Sequence, residues 1–491
     1  MTQTQTQRER DDDRVLPPTW VESHRFVPQS FVQPALEFMR AEASGGILML
    51  VAAVLAIAWA NSPLGDSYFA LFETPIHITF GDYELHHLSE LTVRGWINDA
   101  LMAIFFFVVG LEIKRELVVG ELRDPRAAAL PVIGALGGML VPAAIYLFFN
   151  AGSDTASGWG IPMATDIAFA AGVASLMGSR VPLQAKLFLL ALAIVDDLGA
   201  ILVIAVFYTG DLSFGWLLVA GSGLLVMNVM RRSDIRHLGL YGIVGVFIWL
   251  AVLESGVHAT VAGVAMAFLT PVDSFYDPRR FASRADELVA RAAAYLPEQP
   301  GLANLDHHTL QRVQNIMNDL QRLARESLPP LHRLEHMLSP WTTFFVVPLF
   351  ALANAGVHIR GEVIGSVLGD PVFLGVALGL VVGKVAGVST FAWLSVRLGL
   401  ARLPDKTRLS HIVGVGFLAG IGFTVALFVS ALSFDPGSDS ADSSKLGIFA
   451  ASIVAGLAAW VWLRLSAPTT REGSDDHHAM PDGYREQPVG R

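Results

Sequence analysis

The sequence predicts an all-α membrane protein of twelve transmembrane helices. Spans 3–5 and 10–12 are expected to form matched triplets, with spans 4 and 11 interrupted. Composition is the first reason. Of 491 residues, 53% are hydrophobic and 16% charged, with mean hydropathy +0.50, whereas soluble domains carry about 25% charged residues. The second reason is a set of long apolar runs, at 45–61, 97–110, 187–208 and 446–463. A helix needs about 20 mostly apolar residues to cross hydrocarbon. The third is the distribution of positive charge between the loops.

Residues 1–42 are polar, contain Asp11-Asp12-Asp13, and lack the apolar core of a cleaved signal peptide. They are expected to form a cytoplasmic tail, as are residues 466–491. Between them, residues 43–465 make the twelve-span domain. The spans are expected near 43–61, 95–113, 128–150, 160–176, 184–208, 213–230, 238–254, 257–272, 340–357, 371–396, 409–432 and 445–464. With the N-terminus inside, thirty of the 34 Lys and Arg residues fall on the inner side. Arg94, Arg360 and Lys445 lie outside, and Lys384 is mid-span. Positive charge collects on the cytoplasmic side, so both termini are expected there. An odd span count would destroy the asymmetry.

Two connections carry signals of their own. In the outer segment 61–94, Ile76, Ile78 and Phe80 alternate with polar residues, Gly81-Asp82 follows, and Tyr83 and Leu85 resume the alternation. This predicts a small external β-hairpin, whose edge could pair with a second copy to make a homodimer. The inner loop 273–339 is long. Its Leu310, Val313, Met317, Leu320 and Ala324 follow helical spacing with arginines between them, which predicts an amphipathic helix on the membrane surface.

The chain has no Cys, which excludes thiol catalysis, Cys-ligated zinc and disulfides. No cofactor and no nucleic-acid partner are expected. The net charge of −10 decides nothing about topology.

The charged residues inside spans are the informative exceptions. Span 4 contains Thr165-Asp166, span 5 contains Asp196-Asp197, and span 10 contains Lys384. Each costs roughly 2.5–3.5 kcal/mol at a helix centre, so four cost on the order of 10 kcal/mol before pairing. Three carboxylates facing one ammonium leave a surplus that a structural salt bridge does not absorb. Such groups mark an ion path or proton relay. Asp196 and Asp197 are adjacent, hence about 100° apart around their helix, and can border one cavity. Their oxygens suit a hard cation, and desolvation penalises their charged form. The same oxygens therefore suit a proton or a small cation in turn. Span 4 is broken by Pro162 and Thr165-Asp166. Span 11 carries Gly414, Gly416, Gly420 and Gly422, then Thr424. Interrupted segments in matching halves are the mark of a transporter site built from discontinuous helices.

At these residues the chain resembles the NhaA-type bacterial sodium/proton antiporters. The matching strings are Trp96-Ile97-Asn98-Asp99, Gly110-Leu111-Glu112-Ile113-Lys114-Arg115-Glu116, Ala164-Thr165-Asp166-Ile167-Ala168-Phe169-Ala170 and Val195-Asp196-Asp197-Leu198-Gly199-Ala200. They continue with Ser255-Gly256-Val257-His258-Ala259-Thr260, Arg333-Leu334-Glu335-His336, Phe350-Ala351-Leu352-Ala353-Asn354-Ala355-Gly356, Gly383-Lys384 and Gly420-Ile421-Gly422-Phe423-Thr424. They fall in order over roughly residues 35–465. The resemblance implies an electrogenic, pH-regulated exchange of internal sodium, and lithium, for external protons across the bacterial inner membrane. It makes Asp196 and Asp197 the sodium and proton site, with Lys384 paired to Asp196. Spans 3–5 and 10–12 would be inverted-topology repeats whose broken helices 4 and 11 cross, with Thr165 and Asp166 at the crossing. Glu112, Glu116, Glu335 and His336 would line the cytoplasmic entrance and set the pH response, with His258 at the outer end. Two features depart from the family: Ser339 stands where a further His is common, and loop 273–339 is long.

Two rivals fit the residues less well. A sodium-coupled symporter of an organic anion needs a wet, substrate-sized cavity and has no use for a Lys beside the carboxylates. An intramembrane aspartyl protease needs two Asp on separate helices sharing a water, which Lys384 would spoil. The topology is directly checkable: tags at residues 5 and 480 should both be accessible from the cytoplasm, and periplasmic labelling of either overturns the even span count.

Overall fold

The computed structural model describes Gln33 and residues 44–77, 86–210, 212–235, 237–295, 306–358, 367–404 and 407–466. Its architecture is all-helical, and no strand occurs among the described residues. Of the expected hairpin near Ile76–Leu85, residues 78–85 lie outside them. Its flanks meet in an isolated antiparallel bridge, Pro75 to Thr92, and Ile76 N donates to Leu91 O at 2.9 Å.

The chain opens with α1 (Ser44–Ala60), which turns through 113° into α2 (Gly65–Glu73). Tyr68 of α2 is fully buried. Its hydroxyl donates to Leu352 O at 2.8 Å and accepts the Gly356 N–H at 3.1 Å. Next come α3 (Val93–Val118), α4 (Pro125–Asn150), a 3-10 stretch (Asp154–Met163) and α5 (Ile167–Leu176). The order continues with α6 (Leu183–Phe207), α7 (Phe214–Arg232), α8 (Leu238–Glu254) and α9 (Ala259–Leu269). The inner loop supplies α10 (Phe281–Ala293) and α11 (His307–Glu326), and after it follow α12 (Pro330–Asn354), α13 (Pro371–Arg397), α14 (Leu409–Ala419), α15 (Phe423–Ser433) and α16 (Asp439–Ser466). Seven of these helices are long and apolar enough to cross a membrane, and up to ten spans result if each bent pair is one. Two shorter apolar helices, α8 and α9, lie in the two remaining expected ranges.

Local chemistry explains the boundaries. Asp124 accepts the Arg126 N–H and Pro125 opens α4, a combination that favours a helix start. Pro131 and Pro142 remain inside α4, tolerated because neighbouring helices re-satisfy the backbone. Spanning helices α3, α12 and α13 each contain one π-turn, at Ile97–Leu101, Thr342–Val346 and Gly379–Gly383. Three spans start well before the expected residue: the fourth at Asp154 and the twelfth at Asp439, each six residues early, and the ninth by ten. The ninth span was expected from residue 340, but its helix starts at Pro330, pre-set for a first turn. Glu335 and His336 therefore ride on a helix continuous with the span.

Small residues set the closest packing. A Cβ on Gly138 of α4 would lie 2.9 Å from Val388 and 3.6 Å from the Lys384 stem on α13. The absent side chain lets α13 approach and leaves room for that lysine, as small residues do in membrane interfaces.

The long inner loop folds into α10 (Phe281–Ala293) and α11 (His307–Glu326). The expected helix is present, and a second precedes it. Ala292, Val313 and Leu323 are buried, and the N–H groups of Phe275 and Tyr276 both bond Glu326 O, clasping the loop at its base. A unit closed on itself should be separable. Replacing residues 283–325 by a short flexible linker should shift the thermal midpoint of the detergent-solubilised protein by only a few degrees; a collapse of cooperative unfolding would show that the spans depend on the loop.

Candidate functional site

Two helices stop and restart inside the protein. The chain bends by 43° between the 3-10 stretch and α5, and by 46° between α14 and α15. The breaks touch: Asp166 N donates to Ile421 O at 2.7 Å, and the Thr165 hydroxyl lies 2.9 Å from Ala419 O. Each break exposes a helix N-terminus with unsatisfied N–H groups and a partial positive charge. Asp166 serves both. Its Oδ1 accepts from Phe169 N at 2.9 Å, capping α5. Its Oδ2 accepts from Thr424 N at 3.1 Å and Thr424 Oγ1 at 2.6 Å, at the start of α15. A single carboxylate thus neutralises two converging helix ends.

Asp196 and Asp197, in the middle of α6, face this crossing. Both are buried, as are Thr165, Asp166 and Lys384. Lys384 Nζ donates to Asp196 Oδ2 at 2.5 Å, and the Thr165 hydroxyl donates to the same oxygen at 2.8 Å. The π-turn at Gly379–Gly383 immediately precedes Lys384. Asp196 Oδ1 and Asp197 Oδ1 have no hydrogen-bond partner. Buried polar oxygens are normally satisfied, so these two, on adjacent residues, are hard oxygen donors suited to a small cation. Among the described residues no group of three or more His, Cys, Asp or Glu could hold a resident metal. Two carboxylates, one of them paired with Lys384, offer oxygen donors to a small hard cation.

The five central residues therefore come together. The outlying five divide. Glu112, Glu116 and Glu335 gather where the end of α3 meets the start of α12: Arg115 contacts Glu335 and lies 3.3 Å from Glu116, and Glu112 is within electrostatic reach of Glu335 and of Asp197. Glu116 also lines an open vestibule of about 680 Å³ with Glu121, Asp124, Leu187 and Ala191. Ala191 is six residues before Asp197 on α6, roughly 9 Å along the helix axis. His336 is not part of this cluster: it is exposed and turned edge-on to His332, 6.3 Å away. His258 sits at the start of α9, against the end of α6 at Tyr208.

The model of the family described as Na+/H+ antiporter 1 matches residues 36–463. The chain belongs to this family. It is 47% identical to the Na(+)/H(+) antiporter NhaA of Oleidesulfovibrio alaskensis over 433 residues, covering 88% of this chain and 94% of the relative. It is 43% identical to the protein of the same name from Syntrophobacter fumaroxidans, covering 90% and 92%. To that of Citrobacter koseri it is 44% identical, covering 87% and 97%. Family membership makes the chain a multi-pass membrane transporter and not an enzyme.

Arg115 and Thr424 earn a place that residue type alone did not assign them. In the sequence Arg115 is only a member of a matching string, and Thr424 only the residue that follows a Gly-rich run. Thr424→Val should leave Asp166 Oδ2 short of its strongest bond and cost about 1–3 kcal/mol, read as a lower thermal midpoint in detergent. Thr424→Ser should restore most of it. Equal stability of the Val variant would show that Asp166 does not depend on this cap.

Proposed function

We propose that this chain is a secondary antiporter that expels sodium, and by the same oxygen chemistry lithium, from a bacterial cell in exchange for entering protons. The observation that carries the reading is the pair of orphaned oxygens, Asp196 Oδ1 and Asp197 Oδ1, at the crossing of two broken helices. Membership of the Na+/H+ antiporter 1 family supports it independently. Asp166 is neutralised by helix ends and Asp196 by Lys384, so Asp197 is the carboxylate left to be balanced by a proton or a sodium ion. Mutual exclusion of the two is an exchange mechanism. Thr165 orients Asp196; Glu112, Glu116, Glu335 and Arg115 form the cytoplasmic approach and, with His258 and His336, the pH-responsive set. More protons than sodium ions per cycle make the exchange electrogenic.

The same reading takes twelve spans, with α1, α8 and α9 crossing alongside the longer helices, both termini cytoplasmic, and spans 3–5 and 10–12 as inverted repeats. The protein lies in the inner membrane. A homodimer paired through the external segment 76–85 completes it. The antiparallel bridge from Pro75 to Thr92, which brings the flanks of that segment together, supports this pairing.

Everted vesicles loaded with a pH dye should acidify on energisation and lose part of that gradient on adding NaCl, but not KCl. Asp197→Asn should abolish the response. In isothermal titration, apparent sodium affinity should weaken by about tenfold per pH unit on acidification for each proton displaced, and level off once the carboxylates are ionised. A pH-independent sodium affinity in an exchanging protein would require a separate proton path.

A further inference from the structure

Tyr208 ends α6, eleven residues beyond Asp197, at the outer end of the helix by the proposed topology. Its hydroxyl is the meeting point of three elements. It donates to Ser157 O at 2.7 Å and accepts the Gly160 N–H at 3.3 Å, both in the 3-10 stretch that forms the outer half of the fourth span. Ser433 Oγ, at the outer end of α15, lies 3.3 Å from the same oxygen. Beside it, Trp159 of the 3-10 stretch packs edge-on against Phe207 of α6, centroids 5.1 Å apart. Ser157 Oγ reaches Ser433 O at 3.3 Å. The outer halves of both broken spans are thus tied at one hydroxyl to the helix that carries the cation carboxylates.

We infer that Tyr208 is a positioning residue for transport: its hydroxyl holds the outer path shut while the site is open to the vestibule, and must release before the site can face outward. The inference rests on the antiport reading above. The physical argument is one of connectivity. Exposure of Asp197 to the outside requires α6 to separate from the outer segments of the fourth or eleventh span, because these cover it on that side. Each separation breaks a bond to Tyr208. Gly160 shows that the fit is tight: a Cβ there would lie 2.8 Å from the Tyr208 hydroxyl and 3.3 Å from Val429. The glycine is what lets the hydroxyl reach the backbone.

Two different lesions should therefore act alike. Tyr208→Phe removes the hydroxyl, and Gly160→Ala pushes it away while keeping it. The chain has no Cys, so a single reporter can be read without background. Met163, buried among Trp159 and Val203 between the latch and Ala164, is the position of choice. With Met163→Cys as reporter, labelling by a membrane-impermeant maleimide added outside should speed up about five- to tenfold in either variant, the factor that loss of one or two such bonds implies. Labelling from the cytoplasmic side should change less than twofold. Apparent sodium affinity measured from outside should rise by a similar factor, because the scarce outward-facing fraction limits it.

Unchanged outside labelling in both variants, with folding verified by gel filtration and thermal midpoint, overturns the inference. So does an equal rise from both sides, which is general loosening. If Tyr208→Phe does not fold, Gly160→Ala carries the test. If the parent protein moves no protons in response to sodium while the one-sided labelling gain persists, the antiport reading fails and the latch stands.

Discussion

A helix broken in the hydrocarbon layer must find internal partners for the backbone groups it frees, since no water is there to take them. This chain breaks two, and the partner it supplies is Asp166. One carboxylate accepts from the starts of α5 and α15 together, so the two breaks are held against each other and neither stands without its counterpart. The rest of the site follows from that crossing. Thr165, beside Asp166, reaches both Asp196 and Ala419. The C-terminal end of α14 and the middle of α6 are therefore placed by the same two-residue segment.

Adjacent residues of identical type acquire different roles through this frame. Asp196 is drawn toward Lys384 and Thr165, while Asp197, about 100° around the helix, lies within electrostatic reach of both Asp166 and Glu112. A buried ion pair is a poor source of stability, because desolvation offsets much of the attraction. Its retention here makes sense as charge accounting: it removes one anion from the site without removing an oxygen donor. What remains is a net single negative charge and unpaired oxygens, the complement of one monovalent cation.

Much of this was legible in the sequence for a stated reason. Span positions, the misplaced charges and the Pro- and Gly-interrupted segments are local signals, and a local pattern is what hydropathy and residue type record. The expected ranges overlie α1, α3, α4, α6 and α13 closely. Three things were not legible. The partner of Asp166 lies 258 residues away in sequence, and no periodicity links the two. His336 shares a string with Glu335, but neighbouring helical residues point in different directions, and Glu335 takes the inward one. The helix start at Pro330 was hidden because the turn it opens is polar, outside the apolar stretch that hydropathy finds.

The charge balance also constrains how stoichiometry arises. With Asp166 engaged by two helix ends and Asp196 by Lys384, a site that exchanges Asp197's counter-ion alone trades one proton for one sodium and moves no net charge. Electrogenic exchange therefore demands a second titrating group. On the proposed antiport, the group placed to supply it is the Asp196–Lys384 pair: opening its 2.5 Å contact would free Asp196 Oδ2 for the ion and the Lys384 proton for release. The Thr165 hydroxyl is placed for this change, since it sits between Asp196 Oδ2 and Ala419 O with one proton to give. When sodium takes the carboxylate oxygen, the hydroxyl has the Ala419 carbonyl to turn to, and the end of α14 stays satisfied. The neutral part of the site thus has two settings, matched to the two occupants of the charged part.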